Sequence, residues 1–86
     1  MPDVIHRYRL DLARPTPLTL PRDHRVVDAA MLDGVPYLWI RHAVTPGSKP
    51  VTCRFALVPT GEAFDSAAMT VGTVVYGDLV RHVLQI

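Results

Sequence analysis

Residues 26–41 contain the feature that most constrains the fold, an Asp33-Gly34 dipeptide between two apolar runs. Such a dipeptide readily adopts the two positive φ angles of a type I′ turn, whose twist matches that of the flanking strands. A two-residue loop pairs Leu32 with Val35, and the other pairs follow by counting. The segment therefore predicts a β-hairpin of fixed register.

This register gives the hairpin two different faces. One is wholly apolar and is expected to point into the core; it consists of Val27, Ala29, Met31, Pro36, Leu38 and Ile40. Pro36 supports the register, because a missing N–H is harmless at a non-hydrogen-bonded position of an edge. The opposite face carries Tyr37, Trp39 and Arg41, with Asp28 opposite Trp39 and Val26 opposite Arg41. The face that carries the aromatic residues is therefore predicted to be partly solvated or to contact a partner.

A second hairpin is predicted for residues 69–85, with Gly77-Asp78 as its turn. Counting back from that turn gives the pairs Val75 with Val80, Thr73 with His82, Val71 with Leu84 and Met69 with Ile86. Gly72, in the middle of a strand, indicates a bulge or a close approach of another backbone. This hairpin would form the C-terminal end of the sheet structure.

Two further segments alternate apolar and polar residues and predict half-buried strands, residues 4–12 and 51–58. Residues 18–20 are at most a short extended piece, residues 45–50 form a loop, and 59–67 form a loop anchored by Phe64 that includes at most one helical turn. The chain is thus predicted to be a single all-β domain, 1–86, a small antiparallel meander of five to six strands forming a barrel or a two-layer sandwich.

Composition restricts the partners. The net charge is +1, and nine basic residues are interleaved with eight acidic ones, which argues against nucleic acid as the primary partner. The chain has no run of 18 apolar residues and no signal-peptide pattern, so we expect no membrane association and synthesis in the cytoplasm.

The hydrophobic content of 49% is more than the core of a small domain can bury. One explanation is that a β-rich chain simply uses much Val, Leu and Ala. We favour an exposed apolar patch used in a homo-oligomer or larger assembly.

Catalytic and metal-binding patterns were sought among the histidines and the single cysteine. None of the four histidines has metal-ligand spacing; His6 and His82 are predicted on apolar faces, with Thr73 as the neighbour of His82, and His24 and His42 in solvent. Cys53 is predicted to point inward, where thiols are usually inert. The sequence also has no phosphate-binding glycine loop and no carboxylate pair suited to acid-base chemistry. We therefore expect no enzymatic activity, metal or cofactor.

Tyr37 and Trp39 lie two residues apart and therefore share a face of one strand, with Arg41 next along it. Three interpretations are open for this group. It forms a second core layer, it anchors a protein interface, or it is a platform for a small ligand or for nucleic-acid bases. The position of these side chains in the fold distinguishes the first from the others.

Motifs spread over almost the whole chain resemble those of a family of short bacteriophage and prophage proteins. They are Arg7-Tyr8, Leu20-Pro21, Asp33-Gly34-Val35-Pro36-Tyr37-Leu38-Trp39, Thr60-Gly61, Gly72-Thr73 and His82-Val83. The central segment of that family resembles Asn-Gly-Val-Pro-Cys-Leu-Trp, from which this chain departs by Asp33 and Tyr37. The family has no established activity, so the resemblance implies a phage origin and transfers no functional residue.

A phage origin favours functions that act through a surface. We expect a non-enzymatic accessory protein, synthesised in the host cytoplasm and incorporated into the virion as a capsid decoration or minor capsid protein. The alternative is a cytoplasmic phage protein that binds and modulates a host or defence factor. A second alternative, a small-ligand-binding β-barrel, requires an open lumen.

Overall fold

The fold is known from a computed structural model that describes residues 2–45, 47 and 49–86. Seven strands account for most of these residues, and the described part of the chain contains no helix. The strands are β1 (Asp3–Arg9), β2 (Thr16–Leu20), β3 (Arg25–Leu32), β4 (Val35–Ala43), β5 (Val51–Val58), β6 (Met69–Tyr76) and β7 (Leu79–Gln85). Within the predicted loop 45–50, Pro46 and Ser48 lie outside the described residues.

The strands form two antiparallel sheets. The first sheet has the order β1-β4-β3, and the second sheet has the order β2-β5-β7-β6. The prediction of an all-β chain is confirmed, whereas the barrel is wrong, because no ladder between the described strands joins the two sheets into a closed cylinder. The connectivity also differs from a meander, since β1 pairs with β4 and β2 with β5.

The strand count of five to six was too low because β2 is a full strand. Residues 18–20 were expected to be at most a short extended piece, yet Thr16–Leu20 pairs along its whole length with β5. Pro17 made this segment look unlike a strand, because proline lacks the N–H that a strand donates to its neighbour. The strand lies at the edge of the second sheet, and an edge tolerates a residue that lacks an N–H donor.

The core lies between the inner faces of the two sheets. Its buried residues come from both sheets and from the segment that follows β1; they are Leu10, Leu20, Ala29, Leu38, Ile40, Cys53, Phe55, Val74 and Val83. The inward direction of Cys53 and Phe55 agrees with the alternation predicted for β5. Each large apolar side chain that is fully buried contributes about 1.5–3 kcal/mol relative to exposure, so this cluster is the main source of stability.

The first hairpin forms as the sequence predicts at its turn. Asp33 and Gly34 have φ angles of 50° and 79°, which a type I′ turn requires, and Leu32 pairs with Val35. The register continues as predicted as far as the pair Asp28 with Trp39. The Pro36 carbonyl accepts a hydrogen bond from the Leu10 N–H, so it points away from β3, as a non-hydrogen-bonded pair demands.

Beyond Asp28 the predicted register is wrong, because β3 contains a bulge between Val26 and Asp28. Val26 pairs with Ile40 and packs against the core, whereas Val27, predicted to point inward, is 52% exposed. The bulge inserts one extra residue, so the side chains that precede it in β3 point to the face opposite to the predicted one. Arg25, and not Val26, is therefore opposite Arg41.

The second hairpin has the predicted strands and turn, with the positive φ at Gly77 that a glycine supplies in the first turn position. Val75 pairs with Val80 and Thr73 with His82, as predicted. The outer pairs are wrong, since a bulge between Thr70 and Gly72 places Thr70 opposite Leu84 and Met69 opposite Gln85. Val71 is the additional residue.

Gly72 marks both a bulge and a close approach. A Cβ atom added to Gly72 would lie 3.1 Å from the Cβ of Ala29, which places β6 against β3 where the two sheets meet. Ala29 belongs to the core cluster. Because Gly72 has no side chain, the edge strand β6 can approach β3 closely at Ala29.

Two expectations outside the hairpins are also wrong. The first strand was expected over residues 4–12 but ends at Arg9, and Leu12, at the end of the predicted strand, is 40% exposed. Phe64 does not anchor the 59–68 loop, because its side chain is 47% exposed. Turns instead shape this loop, where the Asp65 carboxylate accepts a hydrogen bond from the Ala67 N–H at 2.8 Å.

Filling the position of Gly72 will destabilise the fold. We expect Gly72→Val to lower the free energy of unfolding by about 1–3 kcal/mol, because the new side chain meets the Ala29 methyl group. Gly47→Val is the control, since a Cβ at Gly47 meets nothing within 4 Å, and it should change stability by no more than about 0.5 kcal/mol.

Urea denaturation of Gly72→Val, of Ala29→Gly and of the variant that combines both changes, with Gly47→Val beside them, measures this contact. The double variant should be more stable than the sum of the two single losses predicts, by at least about 0.5 kcal/mol. Strict additivity of the two changes would show that Gly72 and Ala29 do not touch.

Candidate protein-contact face

The residues predicted as an interface lie on the side of the first sheet that faces away from the core. In β4, Leu38 and Ile40 are fully buried against the second sheet. Successive side chains of a strand point to opposite faces, so Tyr37, Trp39 and Arg41 share the other side. Tyr37 and Trp39 are half-buried there and Arg41 is exposed.

Both neighbouring strands add side chains to this surface, because directly paired residues share a face of the sheet. Arg7 is opposite Trp39, and Arg9 is opposite Tyr37. We call this surface the Trp39 face and define it by the following residues: Asp3, Ile5, Arg7 and Arg9 of β1, Val35, Tyr37, Trp39 and Arg41 of β4, and Arg25, Val27, Asp28, Ala30 and Leu32 of β3.

The aromatic side chains of the Trp39 face contact each other and an arginine. The ring centroids of Tyr37 and Trp39 are 6.2 Å apart with the planes tilted by 55°. The guanidinium carbon of Arg7 lies 4.5 Å from the centroid of the Tyr37 ring, within the range of a cation–π interaction. The three side chains therefore hold one another in place without being buried.

The charges on the Trp39 face are unevenly compensated. Arg41 donates to the Asp3 carboxylate at 2.8 Å, in an ion pair whose partners are 57% and 39% exposed. Exposed pairs of this kind contribute about 0–1 kcal/mol. Asp23 and Arg25 line the same cleft as this pair, so charges are balanced at that end. Arg7 and Arg9 form no ion pair with any residue that the structure describes.

The bulge at Val27 shapes the centre of the face. An open depression of about 270 Å³ lies beside the Trp39 ring, and its walls are Ile5, Val27, Asp28 and Ala30. Ile5 and Val27 are 53% and 52% exposed, so apolar surface here is accessible to solvent. The Asp28 carboxylate accepts a hydrogen bond from the Ala29 N–H at 2.8 Å, which turns one of its oxygens toward the backbone.

The structure decides against one of the three interpretations of Tyr37 and Trp39. The core of the protein lies on the opposite side of β4, and no described segment of the chain forms a second layer over the Trp39 face. A second core layer over these side chains is therefore absent from the described residues. A protein interface and a platform for a ligand or nucleic acid stay open on geometric grounds.

Three histidines, His6, His24 and His42, differ from the predictions in their burial. His24, expected in solvent, is half-buried; its Nδ1 is 2.6 Å from the Pro21 carbonyl oxygen and its Nε2 is 3.8 Å from the Cys53 sulfur. His6 lies on the predicted face but is exposed there, and it stacks on His42 with ring centroids 5.3 Å apart. His42, expected in solvent, is half-buried. The stack lies on the inner side of the first sheet beyond the core, since His6 pairs with buried Ile40.

His82 links the second hairpin to the loop that precedes it. Its predicted neighbour is confirmed, since Nδ1 is 3.0 Å from the Thr73 hydroxyl, and Nε2 is 2.7 Å from the hydroxyl of Thr60. This contact places the loop after β5 on the outer side of the second sheet, where Leu84 is buried apart from the main core cluster. The role of His82 in the described structure is to hold this loop.

Among the residues that the structure describes, no three histidine, cysteine or acidic side chains are arranged to hold a metal ion. The same residues include no helix long and apolar enough to cross a membrane. The Trp39 face groups aromatic, aliphatic and arginine side chains on one sheet surface.

Sequence reasoning found the β4 residues of the Trp39 face but missed Arg7, Arg9 and Arg25. The alternation in β1 did place Arg7 and Arg9 on a common polar face. The pairing of β1 with β4 could not be predicted from this alternation, because the two strands are about 30 residues apart and meet only in the tertiary fold. Arg25 was missed because the bulge at Val27 reverses its side.

The fold and the Trp39 face define an all-β protein of two antiparallel sheets that presents an arginine- and aromatic-rich sheet surface to solvent. The sequence matches the family described as "Domain of unknown function (DUF7352)" over residues 1–86, and the chain belongs to that family. Neither a curated protein nor a solved structure matches it.

The fluorescence of Trp39, the single tryptophan, reports directly on this face. Because Trp39 is half-buried on an open surface, we expect acrylamide to quench it in the folded protein, though less than in the urea-unfolded chain. The quenching constant should not depend on protein concentration if the face is free. Quenching that grows on dilution would instead show that a second copy of the chain covers Trp39.

Proposed function

We propose that this chain is a non-enzymatic bacteriophage accessory protein that acts through protein–protein contacts of the Trp39 face, and that it is a virion component, either a capsid decoration or a minor capsid protein. One observation carries the proposal: Trp39, Tyr37 and Arg7 are grouped on a sheet surface outside the core. Tryptophan, tyrosine and arginine are the residue types that dominate binding energy at protein interfaces.

The surroundings of this group support a protein partner. The aromatic cluster has apolar neighbours in Ile5 and Val27, and arginines lie around it. Interfaces have this organisation, with an apolar centre and a polar rim. The phage origin rests on the motif resemblance, which is densest in the hairpin that carries Tyr37 and Trp39.

The host-directed alternative would use the same surface. A cytoplasmic phage protein that binds a host or defence factor also needs an exposed aromatic anchor, and no separate feature of the fold favours it. The small-ligand-binding barrel is not taken further, because the two sheets of the described chain do not close into a barrel.

Mass spectrometry of purified virions tests the virion assignment. The expected result is the chain at a copy number related to capsid symmetry, retained through density-gradient purification. Absence of the chain from intact virions, in a lysate where it is abundant, would contradict the assignment.

Affinity capture from infected-cell lysate tests the face itself. Trp39→Ala should lose the captured partner, because truncation of a central aromatic anchor costs about 2 kcal/mol or more of binding free energy. Tyr76→Ala is the matched control, since Tyr76 is an exposed aromatic residue of the second hairpin, 54% accessible. Equal capture by Trp39→Ala and the parent chain, with both proteins folded, would show that the Trp39 face is not the contact surface.

A further inference from the structure

We infer that the partner surface recognised by the Trp39 face is an acidic protein segment with one apolar side chain, whose carboxylates pair with Arg7 and Arg9 while the apolar side chain enters the depression beside Trp39. This inference rests on the proposed function and specifies the chemistry of the partner. It follows from the position of the free charges relative to the depression.

The arginines of the Trp39 face differ in how close acidic side chains lie to them. Arg41 is paired with Asp3, and Arg25, which forms no ion pair among the described residues, lines the same cleft as Asp3 and Asp23. Arg7 and Arg9 have no ion pair among the described residues and stand directly opposite Trp39 and Tyr37. The positive charge that a partner would meet is therefore concentrated on β1, beside the aromatic rings.

A depression of about 270 Å³ lies next to the Trp39 ring. Its walls are apolar at Ile5, Val27 and Ala30 and acidic at Asp28, whose carboxylate accepts a hydrogen bond from the Ala29 N–H. The bulge keeps Val27 on this side of the sheet. Such a volume accommodates one aliphatic side chain, and its burial would remove the exposed surface of Ile5 and Val27 from water. An acidic segment with a leucine-like anchor matches both the depression and the adjacent arginines.

Nucleic acid fits this surface less well, although arginine and aromatic residues also bind single strands. The Arg7 guanidinium covers the Tyr37 ring at 4.5 Å, where a base would otherwise stack. The net charge of the chain is only +1.

Binding of short peptides, followed by the NMR signals of the Trp39 indole N–H and the arginine side chains, tests the inference. The probe is a capped pentapeptide of leucine with two glutamates on each side. The comparison peptides replace the glutamates by lysines or the leucine by alanine, and a ten-residue oligothymidylate represents nucleic acid. We expect saturable shifts at Trp39 and Arg7 with the leucine–glutamate peptide, and at least tenfold weaker binding of all three comparison ligands.

Two matched variants locate the site. Arg7→Gln should weaken binding of the leucine–glutamate peptide about tenfold, the loss expected for one charge-assisted hydrogen bond. Arg54→Gln removes the same charge from an arginine that is also exposed, on β5 of the second sheet, and should leave the affinity unchanged. Equal effects of the two variants would show that only overall charge matters and would overturn the inference.

The results distinguish a wrong partner chemistry from a wrong proposed function. If capture from lysate depends on Trp39 but the leucine–glutamate peptide binds no better than its comparison peptides, the partner chemistry is wrong and the protein-contact function stands. If the oligothymidylate binds more tightly than the peptide, the Trp39 face is a nucleic-acid platform and both are wrong.

Discussion

The backbone conformation of Asp33 and Gly34 determines which side chains of β4 are buried and which are presented to solvent. With positive φ at both residues, the turn fixes Leu32 opposite Val35, and a shift of one residue would exchange the two faces of the strand. In the register that the turn selects, Leu38 and Ile40 are fully buried, while Tyr37 and Trp39 lie on the outside. Stability and the candidate function thus depend on the same two-residue turn, although they use opposite sides of one strand.

Two bulges adapt this regular hairpin structure to its surroundings. The bulge at Val27 turns Val26 inward and leaves Val27 beside Trp39, where it forms one wall of the depression. The bulge at Val71 precedes Gly72, whose missing side chain lets β6 approach Ala29 of β3. Both extra residues lie where the strand contributes to a surface other than its own ladder. In β3 that surface is the candidate contact face, and in β6 it is the contact with the other sheet. The sheets share a core without forming a closed barrel.

Local patterns predicted a large part of this fold, and their failures have specific physical causes. Both turns, both hairpins, the inward direction of Cys53 and the Thr73–His82 contact follow from composition and counting, because each depends on neighbours a few residues apart. The exposed Val27 and the shifted outer pairs of the second hairpin could not be predicted by counting, since a bulge depends on tertiary contacts. β2 was underestimated because Pro17 is tolerated only at a sheet edge, and the edges are unknown before the strand order is known. For the same reason the sequence indicated Tyr37, Trp39 and Arg41 of the Trp39 face, but not the arginines of β1.

We propose that the protein contacts its partner through the outer side of the first sheet. Hydroxyl-radical footprinting of the aromatic side chains, in the free protein and in the assembled particle or captured complex, measures this most directly. Trp39 and Tyr37 should react in the free protein and become protected in the assembly, while Tyr76, 54% exposed on the second hairpin, should react equally in both. Protection of Tyr76 with unchanged reactivity of Trp39 would contradict the account.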